Sequence, residues 1–157
     1  MKWVTREHPK TDRIACPWLI RGFIDPDAEF LYVPAADVLD VARREGARSF
    51  DAPGADFTHR DGLCSFEVIL ADHAIDDPAL HTLARIVHGA DIASDRDATP
   101  ESPGLLAVAE GFSLLGLGDQ RQLELSLPVY DALYAWCKTR SPQRSGRQPD
   151  PLPGGKT

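Results

Sequence analysis

Five histidines stand in this chain of 157 residues, and two of them fall where carboxylates can join them. His88 and Asp91 are three apart in a run with helical periodicity, so their side chains leave the same side of that helix. Both border the apolar stripe of Ala84, Val87 and Ala90, a half-buried position in which an ionised Asp needs a partner. Upstream, His59 lies in the loop of THRDGLCSFE, and Glu67 comes early in the helix that follows, three residues after Cys64. Neutral imidazole is the commonest metal ligand, and two nitrogens with two carboxylate oxygens suit divalent iron, manganese or zinc, with a position left for water or substrate. His59, Glu67, His88 and Asp91 are therefore the expected ligands. No HExxH or CxxC pattern supports the spacing, and a plainer reading exists: His88 and Asp91 sharing a hydrogen bond, Glu67 as a favourable acid in a first helical turn. His73 and His81 read as solvated surface positions, although His81, seven residues before His88, could approach the same ion; His8, before Pro9, reads as a loop residue.

A second group is cationic. Arg6, Lys10, Arg13 and Arg21 crowd one stretch of an otherwise acidic chain, beside a helix start expected at Cys16-Pro17. Guanidinium groups and helix N–H groups together make an oxyanion site, with Arg13, Arg21 and Arg6 as its residues. The alternative is ordinary ion pairing with Asp12, Asp25, Asp27 and Glu29. Cys16, at or near that helix N-cap and close to Arg13, is a possible reactive thiol because such a position lowers a thiol pKa, though no base partner is visible. Packing or capping is its other reading, and Cys137, among Tyr134, Ala135 and Trp136, reads as core.

The elements that must position these residues follow from local pattern. Trp3-Val4-Thr5, Phe30-Leu31-Tyr32-Val33 and a segment beginning at Ser49-Phe50 read as strands. Helices are expected between them, at 17–24 with proline in the first turn and at 36–45 before Gly46. That order suits a small parallel sheet with crossover helices. From Ser65 the pattern turns helical, with expected helices at 65–73, from Asp77 as N-cap through Ala90, at 105–115 and at 123–138. The expected fold is thus α+β and helix-rich: a three-stranded N-terminal sheet with crossover helices, then a four-helix C-terminal part. One domain is expected over 1–138 and a flexible tail over 139–157, where proline, glycine and charge leave Leu152 as the only large apolar residue.

Composition sets the outer bounds. An apolar fraction of 43% over this length suffices for one core. Three cysteines without paired spacing argue against a disulfide framework and for a reducing, cytoplasmic setting. The amino terminus lacks a secretory pattern, and no run nears the roughly 20 apolar residues of a membrane span, so no membrane partner is expected. Before Lys138 there are 12 basic against 23 acidic residues, a field that repels phosphates and makes nucleic acid an unlikely partner for this chain alone.

Three segments carry a resemblance: WVTREHPKTDRIACPWLIRGFIDPDAEFLYVP, FDAPGADFTHRDGLCSFE and DDPALHTLARIVHGADI. They resemble the C-terminal domain of the chromate-resistance protein B family, from residue 3 to about 138. Members are associated with bacterial chromate resistance, often as a two-part regulator whose N-terminal half controls expression of a chromate efflux pump; this chain begins at the second part. The resemblance implies a stand-alone metal-handling protein, sensor or small enzyme, with His88 marking a metal-binding variant. It also implies that a small inorganic anion or oxidant approaches an open site past the arginines, since chromate is a tetrahedral dianion like sulfate. Three alternatives stay open: a superoxide-detoxifying oxidoreductase using iron or manganese, a non-enzymatic chromate or sulfate sensor using the arginine cluster, and a thiol-based transferase or reductase using Cys16.

Overall fold

The structure, a computed structural model, describes residues 1–141. Strand β1 (Lys2–Arg6) leads to helix α1 (Asp12–Phe23), β2 (Glu29–Val33), α2 (Val38–Glu45) and β3 (Arg48–Ser49); helices α3 (Ser65–Asp72), α4 (Pro78–Asp91), α5 (Ser102–Ser113) and α6 (Asp119–Arg140) follow. The strands form one parallel sheet in the order β2-β1-β3, with Trp3 opposite Phe30 and also Arg48. The fold is α+β and helix-rich, with the sheet first and four helices after it.

The central strand explains the layering. Its middle residues Trp3, Val4 and Thr5 are all buried, as expected of a parallel strand covered on both faces. Alternation sends Trp3 into the main core with Phe30, Phe50 and Leu19, and Val4 to a smaller cluster with Val38 and Val41 of α2. Gly46 ends α2 at φ 61, a left-handed conformation that glycine adopts without penalty.

Helix α1 departs from the sequence expectation. It begins at Asp12, and Pro17 lies inside it. An interior proline leaves the carbonyl four residues back without its helical donor. Here that carbonyl belongs to Arg13, and the Tyr32 hydroxyl of β2 donates to it at 2.7 Å. A tertiary hydrogen bond therefore replaces the missing helical one, and the helix runs through. Cys16 is consequently mid-helix and buried, and burial, with Asp12 and Asp51 adding to it, pushes its thiol pKa well up. The expected N-cap thiol with a lowered pKa does not hold for Cys16.

Helix α4 follows its local signals. Asp77 caps it by accepting from the N–H groups of Ala79 at 2.8 Å and Leu80 at 3.3 Å, and Tyr134 of α6 donates to the same carboxylate at 2.5 Å. Gly89 lets α5 approach: a Cβ there would overlap Ser102 Oγ and lie 2.7 Å from Ser102 Cβ. Helix α6 is longer than expected at both ends, passing through Pro128 and taking in Thr139 and Arg140, the first residues of the expected tail. The rest of that expected tail, residues 142–157, lies outside the described residues.

Candidate metal centre

The carboxyl ends of parallel strands are where open α/β sheets offer a crevice. Arg6 is the last residue of β1, Asp51 follows β3 by two residues, and Asp12 opens α1, so all three arrive at that edge. Asp51 holds φ 48, a left-handed conformation that Asp tolerates better than most residues. Its Oδ2 accepts from Arg13 Nη1 at 3.1 Å and Arg6 Nη2 at 3.2 Å, and its Oδ1 accepts from Ser65 Oγ at 2.8 Å. Arg6 Nε also donates to the Asp51 carbonyl at 2.8 Å. Asp12 Oδ2 accepts from the backbone N–H of Ser65, the first residue of α3, at 2.7 Å.

Over these acids lies His59. Its Nε2 is 2.9 Å from Asp91 Oδ2, the last residue of α4, and 3.6 Å from both Asp12 Oδ2 and Asp51 Oδ1. The acids are inside and the imidazole is outside: Asp12 is fully buried, whereas the His59 side chain is 47% exposed. One donor atom from each of Asp12, His59 and Asp91 lies within 4.8 Å of the others, the spacing of a metal-ligand group.

The electrostatics are lopsided. Burial, with Asp91 and Asp51 adding to it, pushes the Asp12 carboxyl up to about 7 although His59 pulls it down. Asp91 is likewise raised, by burial first and then by Asp51. His59 is pushed up to about 9, because Asp12, Asp91 and Asp51 outweigh its partial desolvation. Asp12 Oδ1 is buried and has no hydrogen-bond partner.

A second group sits at the start of α3. Glu67 Oε2 accepts from the backbone N–H of Cys64 at 2.9 Å and lies 2.7 Å from His88 Nδ1, while His88 Nε2 lies 2.6 Å from Asp95 Oδ2. Donor atoms of Cys64, Glu67 and His88 also lie within 4.8 Å of one another. Burial pulls the His88 pKa down, but the two carboxylates outweigh it and the net shift is upward.

The four ligands expected from sequence are thus divided, His59 and Asp91 going to the first group and Glu67 and His88 to the second. Asp12, Asp51, Cys64 and Asp95 join these groups from outside the expected ligand set. Thr11-Asp12 is a helix-start signal that could have found Asp12, and Asp51 directly follows a strand segment. Of the oxyanion residues, Arg6 and Arg13 converge on Asp51, whereas Arg21 donates to the Ala28 carbonyl at 3.1 Å and stacks over Phe30. Lys10 pairs with Glu110. His73, expected in solvent, is half-buried, its Nδ1 2.9 Å from the Ile69 carbonyl; His81 and His8 are exposed.

Residues 3–137 match the family described as ChrB, C-terminal domain. The chain belongs to that family. Among curated proteins, Protein ChrB of Cupriavidus metallidurans is 40% identical over 134 residues, which cover 85% of this chain and 40% of the relative. The ChrB domain in hand therefore spans less than half the length of that relative. No solved structure matches it. Among the described residues, no helix is long and apolar enough to cross a membrane.

Proposed function

We propose that this ChrB domain is a metal-binding module of the chromate-resistance type, in which Asp12, His59 and Asp91 hold a first-row divalent ion. The observation that carries the reading is Asp12: a fully buried carboxyl with an unpartnered oxygen, beside two further acids. An uncompensated buried charge is costly, so such a group awaits either a proton or a cation. Two carboxylate oxygens and one imidazole fit iron, manganese or zinc.

Asp51 is not needed as a ligand, because Arg6 and Arg13 already neutralise it. Its part is to fix the inner wall and to hold both guanidinium groups at the rim. An oxyanion arriving without a metal would compete with Asp51 for those same cations, which is why a metal seat is preferred to a bare anion sensor. The exposed face of His59 leaves a route for water, chromate or another small oxidant. A bound ion would supply Lewis acidity there and, if iron or manganese, one-electron chemistry.

Elemental analysis of the purified protein beside His59→Ala tests this. The expected result is a full equivalent of metal less in the variant. Equal content in both, high or low, overturns the reading.

A further inference from the structure

His88 presents a counting problem that protons alone solve only with a charged ring or a protonated carboxyl. Both of its nitrogens face carboxylate oxygens, Nδ1 to Glu67 at 2.7 Å and Nε2 to Asp95 at 2.6 Å. A neutral imidazole donates through one nitrogen only, so the other contact needs an imidazolium, a protonated carboxyl or a cation. Metal-bound histidines characteristically give their far N–H to a carboxylate, which fixes the tautomer and aims the near lone pair. Asp95 is placed for that task. The Arg96 guanidinium donates to the carbonyls of Gly89, at 3.0 Å, and of Ala90, pinning the turn that carries Asp95 (Ala93–Asp95) against the end of α4. On the near side stand Glu67 and the buried thiol of Cys64.

We propose that Cys64, Glu67 and His88 form a second, separate cation seat, with Asp95 as the residue that positions His88. It extends the metal reading but rests on other residues. Its chemistry also differs: thiolate, imidazole and carboxylate together favour a borderline-soft ion such as zinc over manganese or magnesium. Of the three, Glu67 borders an open cleft of about 590 Å³, lined also by Leu63, Ile75, His81, Ala84 and Arg85. Binding forms a metal–sulfur bond and releases the Cys64 thiol proton, together with any proton on His88 Nδ1, to solvent. No oxidant or reductant is involved. The ion would tie the N-cap of α3 to the last turns of α4, clamping together the two helices that also carry Ser65 and Asp91 of the first group.

Cobalt(II) is the probe, because thiolate ligation gives an intense near-ultraviolet charge-transfer band that nitrogen and oxygen ligands do not. Titrating the metal-stripped full chain should produce that band, and zinc(II) should discharge it. His59→Ala should keep the band even if it has lost the metal of the first seat, so the two proposals fail independently. Cys64→Ser should lose it completely while folding normally, since serine is a good N-cap, and far-ultraviolet circular dichroism checks the fold. His88→Gln should lose it too. Absence of the band in the wild type, its survival in Cys64→Ser, or its loss in His59→Ala would overturn a separate thiolate seat.

Discussion

His59 and His88 each face more than one carboxylate, and their surroundings differ in what they leave unsatisfied. His59 is an exposed cover over acids drawn from three separate stretches: the start of α1, the end of the sheet and the end of α4. Those acids outnumber the charge that His59 can supply, and Arg6 and Arg13 are spent on Asp51 alone, so Asp12 keeps a bare buried oxygen. His88 is a helix residue enclosed by neighbours on adjoining segments, and neither it nor Glu67 leaves a buried atom without a partner. The second group helps to hold α3 and α4 together in its own right, through the Cys64 N–H bond to Glu67 and the Glu67 contact with His88. The first leaves carboxyls raised by burial above their ordinary range, and groups so perturbed cluster at functional sites.

The contrast is broken most forcibly at Asp51. Asp51→Ala strands the half-buried Arg13 and removes the acceptor of Ser65 Oγ, so a loss of about 3–5 kcal/mol is expected in urea denaturation. A loss no larger than that of a surface pair, about 1 kcal/mol or less, would show that the arginine clamp does not support the site.

The pH response comes next. Asp12 rises from an ordinary 3.8 to about 7, so between those values the folded chain binds more protons than the unfolded one, and stability falls as pH rises. His59 rises from 6.5 to about 9, so the stability it contributes below 6.5 is lost as pH climbs through about 9. Both slopes run the same way. The metal-free domain should therefore melt at progressively lower temperature from pH 4 to 9, and an added divalent ion, by taking the place of the protons, should flatten the decline. A melting temperature that rises across that range would contradict this electrostatic account.

The remaining two are smaller. Gly89→Ala pushes a methyl against Ser102 and within 3.0 Å of the Asp95 carbonyl, for an expected cost of about 1–3 kcal/mol in thermal unfolding. It should perturb the His88 group while sparing the His59 group, which sharpens the division between them. Tyr32→Phe leaves the Arg13 carbonyl without its donor and should cost about 1 kcal/mol, measured the same way. An unchanged stability would mean that the proline-interrupted helix needs no outside hydrogen bond.

The legible parts of this molecule are those decided locally. Asp77-Pro78 announces a helix start because cap and first turn lie within four residues, and β1 and β2 are marked by their own β-branched and aromatic content, whereas β3 is only Arg48–Ser49, a residue earlier than the Ser49-Phe50 start expected from sequence, and carries neither. Helix α1 starts earlier than its local pattern implies because proline in a first turn is the commoner case, and what rescues an interior Pro17 is a hydroxyl fifteen residues further along the chain. The site divides in the same manner. Spacing picked out His59, Glu67, His88 and Asp91 as chemically notable, but how they partition depends on where α3 and α4 cross. Asp12 and Asp51 join through the sheet edge, a relation that no short window of sequence contains.

The claim on which most depends is that Asp12 is a cation ligand rather than a buried acid kept for structure. Calorimetric titration of the metal-stripped full chain with manganese(II), an ion that the thiolate seat disfavours, beside Asp12→Asn, tests it directly. Asparagine preserves the bond from the Ser65 N–H while removing the charge, so the variant should melt no lower than the wild type at neutral pH and yet not bind the ion. Equal affinity in the two proteins, or no binding by the wild type, would contradict the account.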